Sequence, residues 1–220
     1  MAEGVGFEPT SGLWRIPFIH PSFRRLIALQ DTTIAVVMAG WVAFSLALAL
    51  RVRQRGRSRL RDVRSWGGMG LQGAGAALVF SESHSWARVE VVTVLRAVGA
   101  VLLAVAGAVL MVAAVRTLGK QWSLTARVLE DHELVTTGPY RIVRHPIYTG
   151  LVALVLATGL AQSDLLQAAA GTLLCFAGSR LRVRREEGLL REAFGKRYDA
   201  YAARVPALVP RLGLGPAPEN

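Results

Sequence analysis

The residues best suited to chemistry fall into two groups, one in a loop and one towards the C-terminal end. The loop group runs His132-Glu133-Leu134-Val135, then Thr137-Gly138-Pro139-Tyr140, then Arg144-His145-Pro146-Ile147-Tyr148. The second group is Glu186-Glu187, with Arg182 one helical turn before Glu186. Read as one helix, the tail puts Leu190, Phe194, Tyr198 and Tyr201 on a single stripe, with both carboxylates on or beside it. Arg182 and Glu186 are spaced to pair. A carboxylate directed into a helix bundle is costly to keep there, which marks the pair as a candidate for function. A solvated helix with routine ion pairs fits the same spacing equally well.

Histidine, tyrosine, glutamate and arginine gathered at one mouth would suit a methyl donor with a sulfonium centre. A carboxylate can take such a donor's α-amino group or ribose hydroxyls. An apolar or aromatic wall suits its adenine, and a cation or backbone N–H its carboxylate. No metal is called for, because the sulfonium is already a good leaving group. The protein has to hold nucleophile, methyl carbon and sulfur in line and keep water out. The loop by itself has a plainer reading, since Tyr, Trp and Arg gather at bilayer boundaries, and composition alone favours that anchoring.

The elements that position these groups are apolar. Gly138-Pro139 marks a turn, and the residue before Pro146 is biased away from helix, so His145 and Tyr148 stand at the mouth of an apolar segment. Five such segments are present: Thr32–Leu50, Gly67–Ser81, Val91–Val115, Ile147–Ala161 and Leu165–Leu181. The last two are separated by Gln162-Ser163-Asp164, which predicts a tight helical hairpin. A crossing takes about 20 apolar residues, so the second and fourth segments would cross only with tilt or local thinning. Ala100, Ala104 and Ala108 would give the third helix a smooth face for close approach.

The predicted fold is all-α, an integral membrane bundle of about five transmembrane helices with a C-terminal cytoplasmic amphipathic helix. Residues 1–31 form a loosely ordered leader, either native or an upstream extension, without a signal-peptide pattern. Residues 32–115 hold the first three helices and a basic cytoplasmic loop, residues 116–210 the core with the candidate site, and residues 211–220 a tail.

The charge pattern narrows the function classes. The chain of 220 residues is 52% apolar yet carries a formal charge of +11, with the two characters segregated into apolar runs and arginine clusters. That is a membrane pattern; nucleic-acid binding would need a basic face on a soluble domain, and is excluded as a function class. The arginine cluster over Arg51–Arg61 directly follows an apolar segment and suits anionic lipid. With five spans, the loops 51–64 and 116–144 and the tail from Arg180 lie on one side and hold 21 of the 26 Lys and Arg. The positive-inside rule makes that side cytoplasmic. Cys175 is the single cysteine, so neither a disulfide within the chain nor a cysteine metal cluster can form.

The elements HELV, GPYR, RHPIYTG, EE, FGKRYDAY and RVPALVP, in this order over Arg116–Pro210, resemble the isoprenylcysteine carboxyl methyltransferase family. That family shares a core with the membrane phospholipid methyltransferases. The resemblance implies a multi-span enzyme that binds S-adenosylmethionine at the cytoplasmic face and methylates a small lipophilic or lipid-like acceptor arriving from the bilayer. It implies cofactor contacts at His132, Glu133, Leu134, Val135, Tyr140, His145, Pro146, Ile147, Tyr148 and Glu186, with Glu187 completing the acidic pair. A further polar contact would fall near Thr125. Arg182, placed near the substrate, is the implied catalytic residue. The Arg-, Ala-, Gly- and Val-rich composition reads as a bacterial chain, which places the protein in a bacterial cell membrane and makes prenylated proteins unexpected acceptors. The competing readings are a phospholipid N-methyltransferase, an NADPH-dependent reductase of the steroid-reductase type, and a non-enzymatic membrane protein. The lack of a phosphate-cradling glycine loop counts against the reductase, and inward carboxylates against the last.

Overall fold

Long apolar runs with proline only at their starts build the fold. A computed structural model of the chain describes residues 21–52, 58–61, 66–81, 90–119, 127–129 and 134–210. Its helices are α1 (Pro21–Val52), α2 (Trp66–Phe80), α3 (Glu90–Leu118), α4 (Pro146–Gln162), α5 (Leu165–Phe194) and α6 (Lys196–Arg204), with a 3₁₀ turn over Gly138–Arg141. The predicted hairpin is present. Ser163 closes α4 in extended conformation, and the Asp164 carboxylate caps α5 by accepting from the Gln167 N–H at 2.8 Å.

Two expectations need correction. The leader is not loosely ordered up to residue 31, because α1 already starts at Pro21. Leu26, Ile27 and Leu29 carry the half-buried pattern back past Asp31, and buried Gln30 donates from Nε2 to the Ala161 carbonyl at 3.4 Å. Residues 1–20 and the tail 211–220 lie outside the described residues. The tail is also not one helix. Gly195, at φ +50°, takes a left-handed conformation that glycine adopts without strain, so α5 ends and α6 starts in a new direction. Leu190 and Phe194 therefore stay half-buried on α5, while Tyr198 and Tyr201 are buried on α6. The bundle is all-helical, as expected. A short antiparallel pair, β1 (Ser58–Arg61) with β2 (Arg127–Leu129), joins the first arginine loop to the loop after α3. The strands are short, four residues (Ser-Arg-Leu-Arg) and three (Arg-Val-Leu), and their register slips between Ser58 and Leu60.

Small residues set the packing. Ala100 and Ala104 are fully buried, and a Cβ on Gly40 of α1 would stand 3.6 Å from the Ala104 carbonyl and from Ala108, so the alanine face of α3 receives α1. The centre is filled by Val37, Phe44, Met111 and Leu154 with Ala157 and Ala161. At the end remote from the site, side chains satisfy the helix-terminal carbonyls. Gln162 and Ser163 donate to Val79 at 3.0 Å, and Arg96 donates to Leu160 at 3.0 Å.

Outward faces are apolar, as hydrocarbon rather than water requires: Val91, Leu102, Val109 and Leu173 are exposed, and Leu166 is 81% exposed. Among the described residues, Arg24–Leu50 and Val91–Leu118 are long and apolar enough to cross a membrane, and α4 is a shorter apolar helix of 17 residues.

Candidate active site

The site forms where the start of α4 meets the later part of α5. Pro146 opens α4 in a first-turn position where its missing N–H costs nothing. His145, the residue before it, has non-helical backbone and makes no side-chain cap, so its ring is available to other partners. The segment following α6 pins this turn. The Arg144 N–H donates to the Pro206 carbonyl at 2.8 Å, and the His145 N–H to Ala207 at 3.0 Å. The Thr149 hydroxyl donates to Leu208 at 2.6 Å. From α6, the Tyr201 hydroxyl donates to the Tyr140 carbonyl at 2.7 Å and so anchors the 3₁₀ turn.

α5 supplies the acids. Glu186 accepts a short hydrogen bond from the Tyr148 hydroxyl and lies 3.5 Å from His145 Nδ1 and 3.7 Å from Arg182 Nη2. Glu187 accepts from Arg144 Nη2 at 2.6 Å and Nε at 3.0 Å, and lies 3.4 Å from His145 Nε2 and 3.5 Å from Arg191 Nη2. The His145 imidazole thus stands between the two carboxylates. Its ring stacks near-parallel on Tyr148 with centroids 5.9 Å apart, and the Arg182 guanidinium sits 5.1 Å from the centre of the same tyrosine ring. Arg144 continues past Glu187 to the carbonyls of Ala202 (2.9 Å) and Val205.

Burial on its own would strip the proton from His145. The Glu186 and Glu187 carboxylates, each within 3.5 Å of one ring nitrogen, outweigh it and raise the imidazole's pKa above its ordinary value. Burial likewise opposes ionisation of Glu187, yet the nearby His145 ring and the bonds from Arg144 bring its carboxyl down to about 2. Burial pushes the hydroxyls of Tyr140, Tyr198 and Tyr201 well above the ordinary phenol range. The two acids differ in access. The Glu187 side chain is 11% exposed and held on several sides, whereas that of Glu186 is 22% exposed. One carboxylate is sealed into the scaffold; the other keeps an open side.

Of the sequence-derived residues, the structure brings together His145, Pro146, Tyr148, Arg182, Glu186 and Glu187, with Tyr140 buried beside them under α6. Ile147 is turned towards the apolar core. Leu134 and Val135 are half-buried in the irregular segment before the 3₁₀ turn. His132, Glu133 and Thr125 lie outside the described residues. The sequence puts Arg144 in the loop group but gives it no partner, and sequence reasoning missed Arg191 and the carbonyls of residues 206–208. For Arg144 a signal existed: Arg182 can partner Glu186, which leaves Glu187 in need of a cation, and Arg144 adjoins His145.

Residues 100–192 match the isoprenylcysteine carboxyl methyltransferase family. The matched stretch runs from within α3 into α5, holding the turn at His145 and the acidic pair but neither α2 nor the segment after α6. A probable protein-S-isoprenylcysteine O-methyltransferase of Oryza sativa subsp. indica is 33% identical over 111 residues, 50% of this chain and 58% of the relative. Protein-S-isoprenylcysteine O-methyltransferase B of Arabidopsis thaliana is 34% identical over 106 residues, covering 47% and 54%. A nickel-cobalt-cadmium resistance protein, NccN, of Alcaligenes xylosoxydans xylosoxydans is 37% identical over 99 residues, covering 44% and 46%. The chain thus spans about half the length of the curated relatives it matches. Its fold is similar to the solved structure of the eukaryotic intramembrane Ras methyltransferase of this family, with a TM-score of 0.60, 21% identity, and coverage of 88% of this chain and 69% of that one.

Proposed function

We propose that this chain is a membrane-embedded, S-adenosylmethionine-dependent methyltransferase acting on a lipophilic acceptor. The observation that carries the reading is Glu186, a partly open carboxylate held by Tyr148, His145 and Arg182 inside the segment matched to the family. The donor set fits the cofactor: one accessible carboxylate for an amino group or ribose hydroxyls, aromatic surface beside it, and cations at its edge. When bound, the cofactor supplies an electrophilic methyl group on a sulfonium.

The chain's own residues then have separable tasks. Glu186 would hold the donor, and His145 and Tyr148 fix where Glu186 points. Glu187, locked to Arg144, keeps His145 in place. Arg182 would orient an anionic acceptor. Transfer would be a direct in-line displacement, to which the scaffold would contribute alignment and exclusion of water. Five membrane crossings with the site and C-terminus on the cytoplasmic side fit the arginine distribution, and the β1–β2 pairing of two arginine-bearing loops supports it. The names of the plant relatives support a prenyl thioether bearing a carboxylate as the acceptor class.

The test is transfer of labelled methyl from S-adenosylmethionine by the detergent-purified protein to a farnesylcysteine derivative, a phosphatidylethanolamine and a quinone. Base-labile label on the farnesylcysteine carboxylate is expected. Label on the amine lipid would move the chain to the phospholipid class, and consumption of NADPH with no methyl transfer would overturn the reading.

A further inference from the structure

α2 lies outside the matched segment, yet it reaches the site. Within it, Gln72 is a buried amide in a glycine-rich apolar helix. A buried amide in such a place is expensive unless each end is hydrogen-bonded, and a residue of this kind in a membrane helix usually serves a site. Both ends of Gln72 are engaged. Its Nε2 donates to the Ser179 hydroxyl at 3.0 Å, and that hydroxyl donates onward to the Cys175 carbonyl at 2.8 Å. With the nitrogen so committed, Oε1 faces α5 one turn further on, where it accepts from Arg182 Nη1 at 3.5 Å.

The backbone makes this reach possible. A Cβ on Gly68 would stand 2.8 Å from the Gly178 carbonyl, and one on Gly178 would stand 2.6 Å from the Gly68 carbonyl and 2.8 Å from the Gln72 backbone nitrogen. Helices in glycine contact bring a short amide side chain within range of an arginine that would otherwise be out of reach. The Arg182 head is then bounded by Gln72, the Tyr148 ring and Glu186.

We propose that Gln72 is a positioning residue that sets the Arg182 guanidinium against Tyr148 and Glu186, oriented in turn by Ser179. The inference rests on the methyltransferase reading only in giving Arg182 the acceptor to hold; the contact itself does not depend on it.

A double-variant cycle tests it. Gln72→Met keeps volume and removes both polar ends. Alone, it should raise the KM for a farnesylcysteine acceptor roughly tenfold, the size expected for losing a hydrogen bond to a charged group. In an Arg182→Gln background the same change should have no further effect. Equal effects in both backgrounds, or an unchanged KM in the single variant, would overturn the proposal. If no methyl transfer to any acceptor is found, the Arg182 Nε–H resonance, identified by its loss in Arg182→Lys, decides the matter alone. A shift of that signal in Gln72→Met and in Ser179→Ala supports the positioning role, and an unmoved signal in both refutes it.

Discussion

Arg144 and Glu187, 43 positions apart in sequence, meet through two hydrogen bonds to one carboxylate oxygen, at 2.6 and 3.0 Å, with both side chains 11% exposed. The pair ties the turn before α4 to the later part of α5. Because the same guanidinium also takes the Ala202 carbonyl, α6 joins the same knot.

Breaking that pair from one side leaves a buried charge without its partner. Glu187→Gln and Arg144→Met should each destabilise the protein by about 3 kcal/mol, while removing both partners should cost less than the two effects added together. Unfolding in detergent across the four proteins checks this; simple additivity would mean the two residues do not act as a pair.

The pH response follows from two shifts of opposite sign. His145 holds its proton more tightly when folded, so its contribution is complete below its unperturbed value of 6.5 and is lost as pH rises through the raised folded value. Glu187 moves from 4.5 to about 2, so its contribution is complete above 4.5 and is lost as pH falls towards 2. Stability should therefore peak between these limits. His145→Gln should flatten the alkaline side, and Glu187→Gln the acid side, of a plot of Tm against pH. An unchanged alkaline limb in His145→Gln would count against a proton held between the two acids.

The segment after α6 should matter as much as the helices. Ending the chain at Arg204 removes the carbonyls that receive the Arg144 and His145 N–H groups and the Thr149 hydroxyl. Donor affinity should fall by at least roughly tenfold for two lost backbone hydrogen bonds at about 1 kcal/mol each. Thr149→Val, which loses only the hydroxyl's contacts to the Leu208 and His145 carbonyls, should show only a few-fold effect. Full donor affinity in the shortened chain would show that the turn holds its shape unaided.

Glycine contacts between α2 and α5 give a separate check on the scaffold. Gly178→Val would drive a Cβ against the Gly68 carbonyl and should destabilise by about 1–3 kcal/mol through overpacking. Gly73→Ala meets nothing within 4 Å and should leave stability equal or raise it by about 0.5–1 kcal/mol through helix propensity. Thermal unfolding of both variants distinguishes a packed α2 from a loosely attached one.

Much of the site was legible because its signals are local. Pro146 marks a helix start, Gln162-Ser163-Asp164 a hairpin, and the spacing of Arg182 to Glu186 a pair on one face, and each appears in the structure as read. What escaped was set by tertiary contact. Gln72 is one polar residue in a glycine-rich apolar segment, and its meaning depends on glycines of α2 and α5 meeting. The one-helix reading of the tail failed at Gly195, since the apolar spacing from Leu190 to Tyr201 does not register a single left-handed residue. The start of α1 was placed late because polar Gln30 and Asp31 interrupt the apolar run, although Gln30 turns inward to Ala161.

Calorimetric titration of S-adenosylmethionine into the detergent-purified protein tests the central assignment most directly, with Glu186→Gln and the exposed-site control Glu192→Gln alongside. Saturable binding to the unaltered protein and to Glu192→Gln, weakened roughly tenfold or more in Glu186→Gln, is the predicted result for losing a charged hydrogen-bond acceptor. Equal affinity in all three proteins would contradict the assignment of Glu186 to the donor, and absence of binding in all three would contradict the methyltransferase itself.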